Sequence, residues 1–447
     1  MNEFKQPYFR LIFLHFVIGV LVYLFPFSAK IYAILVFGGG LLYILKTKNK
    51  NNEALFISAY IVGAEVFFRM TKGSFNYEFA KYTVILFLLI GLFYRGFSRA
   101  AFIYWIFLLL LIPGVFLSFF TLDMDTQIRK AIMFNISGSL CLGVSSIYCL
   151  NNKVSFEQIQ SLLLSMGLPV VTTAVYLFLY TPNVKDIITG TSSNFETSGG
   201  FGPNQVSTIL GLGIFVFFNQ IVFGSKNKFY LILNVVITFI ISYRALVTFS
   251  RGGVITALAM ILGTILILFF KLDGKGKMKF NGLLILVGVL VLSVWSYSLI
   301  QTNGLLGNRY ANQDAAGRVK KSQLTGREDL IESEYKMFLE NPVFGIGVGK
   351  SKETRMEMTG KVAASHSEIS RLLSEHGAFG ILALLILLIT PFINYIDNKH
   401  HFYMLAFFTF WILTINHAAM RTATPGFIYG LCLLKVYVDG KNFVRRE

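Results

Sequence analysis

Long apolar runs separated by short polar gaps recur along the whole chain. Each run approaches the about 20 residues that a helix needs to cross the hydrocarbon core of a membrane. The runs do not alternate between apolar and polar positions, which favours helices over the strands of a membrane barrel. We expect about fourteen spans. Their predicted bounds are 8–25, 31–45, 54–70, 79–94, 101–121, 127–148, 160–180, 204–223, 229–248, 252–270, 281–300, 368–394, 402–419 and 424–438.

The composition supports the same interpretation. Of the 447 residues, 55% are hydrophobic and only 14% are charged, whereas a soluble domain has about a quarter of its residues charged. A large apolar surface must therefore face the lipid bilayer. The expected fold class is all-α, a polytopic membrane helix bundle of about 12–14 transmembrane helices. One long extracytoplasmic loop is expected to contain a short amphipathic helix.

Charges in the gaps between the spans predict the orientation of the chain. Alternate gaps are basic, and the others are mostly uncharged or acidic. The positive-inside rule places the basic gaps and both termini in the cytoplasm. The rule also explains the net charge of +17 without a nucleic-acid partner. The basic gaps hold Lys46, Lys48 and Lys50; Arg95 and Arg99; Lys153; Lys226 and Lys228; Lys271, Lys275, Lys277 and Lys279; Lys399; and Lys441, Arg445 and Arg446.

The gap from Gln301 to Ser367 is the longest, and it is basic although it falls on the outer side. Long loops are translocated largely regardless of charge, so this gap does not overturn the topology. It is either an ordinary solvated loop or a basic lid over an anionic, lipid-linked substrate. The expected organisation is N-terminal spans (1–180), motif-bearing spans (181–300), an extracytoplasmic catalytic loop (301–367) and C-terminal spans (368–447).

The long loop contains the signals of one helix. Thr325 and Glu328 form a capping box, which places Arg327 in the first turn. The helix should end at Asn341-Pro342, because the residue before proline disfavours the helical conformation. We expect the apolar residues of the helix to face inward. They are Ile331, Tyr335 and Phe338.

A glycine run follows this helix, at Gly345-Ile346-Gly347-Val348-Gly349. Such runs can cradle phosphate, but no strand precedes this one and no dinucleotide-binding unit surrounds it. A tight backbone turn is therefore the favoured interpretation.

A second capping box, formed by Ser365 and Glu368, places His366 in the first turn of the next span. The positive end of the helix dipole disfavours a protonated imidazole, so we expect a neutral His366. A neutral histidine can accept a proton, as a general base must. The simpler alternative is a surface histidine at a helix start.

Arg251 begins a predicted span directly before Gly252 and Gly253, and Arg244 lies one to two turns upstream. An arginine at this position can extend to the membrane interface without any further role. Alternatively it can bind a diphosphate through paired hydrogen bonds, because the glycines allow a ligand to approach closely.

Several of these motifs occur in the order found in a known family, the O-antigen ligases and O-antigen polymerases, which are membrane glycosyltransferases. The chain resembles this family over about residues 200–380, and Phe201-Gly202-Pro203-Asn204-Gln205 is similar to its Pro-Asn turn. The ordered motifs are Ser250-Arg251-Gly252-Gly253, Gly326-Arg327, Asn341-Pro342-Val343-Phe344-Gly345-Ile346-Gly347, His366-Ser367 and Glu375-His376-Gly377-Ala378-Phe379-Gly380.

The resemblance implies a GT-C-type helical fold in the bacterial inner membrane, with an extracytoplasmic active site. It implies transfer of a glycan from undecaprenyl pyrophosphate to an acceptor hydroxyl, without a cofactor, nucleotide sugar or metal. Arg251 and Arg327 would bind the pyrophosphate, with Arg244 as a weaker candidate. His366 would activate the acceptor, and in-line attack would invert the anomeric centre. Ser367 departs from the asparagine that many members carry.

Other polar residues are candidates for contacts with the acceptor. These are Asn204 and the cluster of His417 and Arg421, which also includes Asn416. Asp123 and Asp125 are similar to the metal-binding pair of many sugar transferases, but two carboxylates are also ordinary in an outer turn. We expect no metal.

Two classes of function remain open. The first is glycosyl transfer, to lipid A-core in a ligase or to a second lipid-linked glycan in a polymerase, and we take the ligase as the first hypothesis. The second is a transporter such as a lipid-linked glycan flippase. A transporter is expected to carry polar residues near the midplane of two similar halves. The chain shows no clear repeat, and its candidate residues lie near outer helix ends, which favours the enzyme.

Overall fold

The computed structural model describes residues 5–320, 322, 327–360, 363–417 and 419–437, and only the backbone of residues 5–7, 275 and 279. The described residues form eighteen α-helices. They are α1 Lys5–Leu24, α2 Ser28–Thr47, α3 Glu53–Met70, α4 Phe79–Arg95, α5 Phe102–Thr121, α6 Ile128–Cys149, α7 Phe156–Tyr180, α8 Val184–Ile187, α9 Pro203–Asn219, α10 Lys228–Leu246, α11 Arg251–Lys271, α12 Gly274–Gln301, α13 Leu305–Tyr310, α14 Arg327–Glu340, α15 Ser351–Thr359, α16 Glu368–Ile396, α17 Met404–Ile415 and α18 Ala423–Leu431.

Short elements complete the secondary structure. Arg99–Ala101 and Glu196–Ser198 are single 3-10 turns, and Gln220–Gly224 continues α9 as a π-helical turn. The strands β1 Lys153–Ser155 and β2 Lys435–Tyr437 pair in parallel.

Nine helices in the described part of the chain are long and apolar enough to cross a membrane. They are α2, α5 to α7, α9 to α12 and α16, while α1 and α17 are shorter apolar helices. Helices suit this environment because each one satisfies its own backbone hydrogen bonds where no water is available. The expected all-α, polytopic membrane fold is confirmed.

The last predicted span, 424–438, is wrong in its extent. Helix α18 has only nine residues, which corresponds to about 13 Å and is well short of a hydrocarbon core of about 30 Å. The chain then leaves the helix because Asn398 offers its backbone other partners. The Asn398 side chain donates to the Leu434 carbonyl at 2.6 Å and accepts from the Val436 N–H at 3.2 Å.

Helix α17 ends at Ile415, before the predicted limit of 419. Two side chains bind the last carbonyl groups of this helix. Asn416 donates to the Ile412 carbonyl at 2.8 Å, and His417 Nδ1 donates to the Leu413 carbonyl at 2.9 Å. These bonds satisfy carbonyl groups that have no partner within the helix.

Contacts divide the chain into two compact units. The first unit comprises Met1–Tyr43, Leu55–Tyr77 and Glu157–Lys321. The second unit comprises Ile44–Ala54, Glu78–Phe156 and Ser322–Glu447.

In the first unit, α9 packs against α10 and α11. Glycines allow the backbones of α9 and α11 to touch. A Cβ atom on Gly253 would lie 2.0 Å from the carbonyl oxygen of Ser207, and one on Gly211 would lie 2.3 Å from the carbonyl oxygen of Gly253. Ser207 Oγ also donates to the Ser250 carbonyl at 2.7 Å. This contact fixes the start of α11 against α9.

In the second unit, α6 packs against α4, α5 and α18, and α16 packs against α5, α14 and α17. Charged side chains inside this unit are paired. Arg371 binds Glu368 and also Glu375 at 2.8 Å, and these three side chains are almost fully buried. The i,i+3 and i,i+4 spacing places all three on one face of α16.

We expect Gly253→Ala to destabilise the protein by about 1–3 kcal/mol or more, because the new methyl group forces α9 and α11 apart. The matched control is Gly288→Ala in α12, where a Cβ would have no neighbour within 4 Å. That substitution should leave stability unchanged or slightly higher. Thermal unfolding of the detergent-solubilised protein checks both, and equal Tm values for the two variants would contradict the close packing of α9 and α11.

Candidate functional site

The long gap between the spans holds three helices in its described part, α13, α14 and α15. Helix α14, Arg327–Glu340, confirms the predicted helix. Thr325 and Gly326, predicted to precede it, lie outside the described residues. Glu328 accepts a hydrogen bond from Ser322 Oγ at 3.0 Å.

The predicted inward face of α14 is wrong. Ile331 is 41% exposed and Tyr335 is 53% exposed, whereas the buried residues are Ser333, Glu334 and Met337. The helix turns this polar face inward because a buried arginine, Arg355 of α15, lies there. An ion pair therefore sets the rotation of α14, against its apolar pattern.

Arg355 is 1% exposed and connects α15 to α14 and to the segment before α16. It donates to Ser333 Oγ at 3.0 Å, to the Glu334 carboxylate and to the carbonyl of Ala363, three residues before His366. Glu334 in turn accepts from Ser370 in the first turn of α16. No local sequence pattern predicts this pair, because its two residues belong to separate helices.

The glycine run 345–349 docks against a kink in α16. Gly377 has φ 57° inside that helix. The carbonyl of Ser374 accepts from the Ile346 N–H at 2.9 Å, and the Ala378 N–H donates to the Pro342 carbonyl at 2.8 Å. The loop thus supplies partners that the kink removes from the helix. The expectation of a tight backbone turn agrees with the left-handed φ values of Gly345, Gly347 and Gly349.

His366 lies just before α16 and not in its first turn, so the predicted capping box is wrong. The N-cap is Ser367, whose Oγ accepts from the Ser370 N–H at 3.5 Å. Ser365 Oγ instead donates to the Ser367 carbonyl at 2.8 Å. Glu368 turns to Arg371 because that guanidinium is buried and needs a carboxylate.

Four cationic or imidazole side chains of the second unit surround His366. The positive charges of Arg421, Arg327 and Arg355 act on its imidazole, as does His417. Arg421 donates to the Ser365 carbonyl at 2.9 Å. The structure therefore brings together His366, Arg327, His417 and Arg421, which the sequence suggested separately.

The environment of His366 holds its imidazole neutral. Burial, followed by the neighbouring arginine charges, lowers the pKa of His366 to about 4. The predicted neutral state is supported, although burial and these charges replace the helix dipole as its cause. Among the described residues, His366 Nδ1 is buried without a hydrogen-bond partner.

The segment after α17 fixes the backbone around His366. The Ala419 N–H donates to the His366 carbonyl at 3.1 Å. Ser367 Oγ donates to Asn416 Oδ1 at 3.3 Å, so Ser367 does connect the histidine segment to a neighbouring amide. Burial lowers the pKa of His417 to about 4, and its Nδ1 is engaged by the Leu413 carbonyl.

In the first unit, the Pro-Asn turn and the Ser-Arg-Gly-Gly motif contact each other. Ser250 Oγ donates to Asn204 Oδ1 at 2.8 Å. Arg251 is the first residue of α11, directly after this hydrogen bond. The contact explains why the two motifs occur together, and it positions the Arg251 backbone.

Two further cationic residues, which no sequence motif indicates, lie close to Arg251. Arg309 donates through Nε to the Phe249 carbonyl at 2.9 Å. The charges of Arg251 and Arg309 both act on Tyr310, whose pKa burial raises to about 12. The pKa of Lys320 is lowered mainly by its partial burial and further by the charges of Arg309 and Arg251. Arg251, Arg309 and Lys320 therefore form one cationic group, defined here as the first-unit cluster.

Arg244 is fully enclosed by protein, at 0% exposure. Its Nη2 donates to the Thr181 carbonyl at 3.0 Å, and its guanidinium lies 4.8 Å from the ring centre of Phe178. Arg244 therefore links α10 to the end of α7. This placement favours a structural role over the pyrophosphate contact expected from the sequence.

Asp123 contacts a protein cation. Its carboxylate lies 2.8 Å from Lys350 Nζ, which is also 2.9 Å from Glu353. The ion pair joins the turn before α6 to the start of α15. This arrangement favours the ordinary outer turn over a metal-binding pair.

Taken together, the apolar helices define a multi-pass helical membrane protein, and its second unit holds a histidine with three arginines around it. Residues 236–385 match the family model described as O-antigen ligase. This region is similar to that family, as the motifs suggested, and it includes Arg251, Arg327 and His366. A search of the curated proteins finds no match.

We expect Arg355→Met to lower the free energy of unfolding by about 3–5 kcal/mol, because it leaves Glu334 buried without its counter-charge. Adding Glu334→Gln should recover part of this loss, since the amide can still bind Ser370. The control is Lys336→Met, which removes an exposed pair with Glu332 and should change stability by less than about 1 kcal/mol. Thermal unfolding in detergent measures all of these. A double variant as unstable as the sum of the two single variants would contradict the coupling.

Proposed function

We propose that this protein transfers a glycan from undecaprenyl pyrophosphate to an acceptor hydroxyl, the acceptor being lipid A-core. The observation that carries the proposal is His366, a neutral imidazole among three arginines whose buried Nδ1 has no hydrogen-bond partner among the described residues. The match of this region to the O-antigen ligase family supports it.

Arginine side chains are assigned to the pyrophosphate. Cleavage of the sugar–pyrophosphate bond transfers an electron pair to the phosphate oxygen and develops negative charge there. Guanidinium groups in a poorly hydrated site stabilise such charge strongly. We assign this role to Arg251 and Arg327, each at the start of its helix.

His366 is assigned as the general base. The acceptor oxygen attacks the anomeric carbon while its proton passes to the imidazole, and pyrophosphate leaves from the opposite side. This in-line displacement inverts the anomeric centre. No metal is required, because the arginines carry the charge of the leaving group.

The bacterial inner membrane is the proposed location, with both termini cytoplasmic and the site extracytoplasmic. The alternation of basic and non-basic gaps supports this orientation. Asn204, His417 and Arg421 are retained as proposed contacts with the acceptor. Arg421 and His417 qualify because they lie beside His366.

Reconstitution of the purified protein tests the function. A defined undecaprenyl-pyrophosphate glycan is offered with lipid A-core in one sample and without it in another, both free of metal and ATP. Glycan on lipid A-core establishes the ligase. Lengthening of the lipid-linked chain in the second sample establishes a polymerase. Movement of the lipid across the bilayer without transfer establishes a transporter and overturns the proposal.

We expect His366→Ala to reduce transfer by at least about 100-fold, because a positioned general base contributes about 10²–10⁴-fold. The matched control is His400→Ala, at an exposed position, which should retain full transfer. Both variants should elute and unfold like the wild type. Undiminished transfer by His366→Ala would remove the base assignment.

The pH dependence follows from the low pKa of His366. Because the base must be neutral, kcat/KM should stay level from neutral pH downward and fall only near the pKa of about 4. Arg421→Gln removes a cation that lowers this pKa, so the fall should move to higher pH. The control Arg318→Gln alters a side chain that is 82% exposed and paired with Asp314. If kcat/KM of the Arg421 variant falls at the same pH as in the wild type, a group other than His366 titrates there.

A further inference from the structure

Helix α14 exposes large apolar side chains although it belongs to the loop between two spans. Ile331, Tyr335 and Leu339 recur at intervals of four residues and are 41%, 53% and 57% exposed. Residues four apart lie on one face of a helix. Single exposed apolar residues are ordinary on a protein surface, but a row of them marks a surface that contacts something other than water.

The exposed side of α14 also has a charged row next to the apolar one. Glu332, Lys336 and Glu340 follow at the same intervals and are exposed, and Lys336 Nζ lies 3.0 Å from the Glu332 carboxylate. The helix therefore has three sides, one packed on protein, one apolar and one charged. A helix at the surface of a membrane has this arrangement, because its apolar side enters the lipid and its charged side stays in water.

The kink in α16 marks the level of the membrane surface. From Gly377 to Ile396 the helix rises about 30 Å, the thickness of the hydrocarbon core, and its exposed large apolar side chains lie from Ile381 onward. The part before Gly377 turns away from this axis. A Cβ atom on Gly380 would lie 2.0 Å from the carbonyl oxygen of Leu372, whereas residues eight apart in a straight helix are separated by about 12 Å.

Helix α14 and the residues after it are attached to both sides of this bend. Before the kink, the hydroxyl of Ser370 donates to the Glu334 carboxylate. After the kink, the N–H of Ala378 donates to the Pro342 carbonyl at 2.8 Å. Helix α14 therefore lies across the end of the span and does not project away from the membrane.

The segment after α14 continues the exposed apolar surface toward lipid-facing side chains. Val343 and Phe344 are 55% and 53% exposed, and Phe344 stacks on Phe379 of α16 with ring centres 5.5 Å apart. Thr121 Oγ1, at the end of α5, donates to the Ile346 carbonyl at 3.0 Å. The last two turns of α5 expose Phe116, Phe119 and Phe120. The segment is thus level with the apolar surfaces of two spans.

We propose that α14 is an interfacial helix whose apolar row, Ile331, Tyr335 and Leu339, lies in the lipid leaflet beside the loop together with Val343 and Phe344. The partner is lipid and not a second copy of this chain, because the row continues the lipid-facing surfaces of α5 and α16. The charged row carries both signs, so the contact does not require anionic lipid. This inference goes beyond glycan transfer and does not depend on it.

Single cysteines that carry an environment-sensitive fluorophore test this placement. The reporter variants are Tyr335→Cys and Leu339→Cys in the apolar row. The matched controls are Glu332→Cys and Lys336→Cys in the charged row of the same helix. The three native cysteines are buried, and wild type treated with the fluorophore measures their background. All four variants replace exposed side chains, so their elution and Tm should equal those of the wild type.

The measurement is quenching in phosphatidylcholine vesicles. Nitroxide-labelled lipid should quench the reporters at least about twofold more than the controls, because an interfacial helix buries its apolar face about 5–10 Å into the lipid. Iodide in the water should quench the controls more strongly than the reporters. The same pattern is expected when phosphatidylglycerol is added to the vesicles.

Two results would overturn the proposal. Iodide quenching of the reporters that equals that of the controls would show that the apolar row faces water. Reporters that are shielded from iodide but not quenched by lipid would show that protein covers the row, as in an assembly of two copies. Neither result involves a glycan, so the outcome is distinguishable from a failure of the proposed transfer.

Discussion

A charged group enclosed by an apolar helix bundle has no water to bind, so it must find its partner within the protein. This constraint organises the second unit. Arg371 binds Glu368 and Glu375 on one face of α16, and Lys81 in the first turn of α4 binds Glu78, the residue before that helix. Arg355 and Glu334 apply the same rule to the loop. These pairs fix the helices that surround His366.

His366 differs from those paired groups in a way that suits chemistry. It lies beside the same network, yet its buried Nδ1 has no partner among the described residues. Its backbone is held by Ala419 and its neighbour Ser367 by Asn416. These two hydrogen bonds hold the backbone that carries the imidazole, which is the arrangement that the proposed general base requires.

In the first unit, one hydrogen bond and one close helix contact fix the start of α11. Contact between Ser250 and Asn204 fixes the start of α11, and Gly253 brings that helix against α9. One face of α11 then leads from Arg251 to the apolar side chains of Val254 and Leu258. The same short motif therefore serves both packing and charge placement.

The sequence alone determined the membrane fold, most helix bounds and the presence of helix α14, and it proposed Arg251, Arg327 and His366 as site residues, because apolar run length and motif order are local signals. Only the tertiary structure decided which face of α14 is buried, since Arg355 pairs with a residue 21 positions away. It also decided the enclosure of Arg244 and the grouping of Arg309 and Lys320 with Arg251. Those outcomes depend on contacts between residues far apart in the chain, and the spacing of apolar residues along the sequence does not predict such contacts.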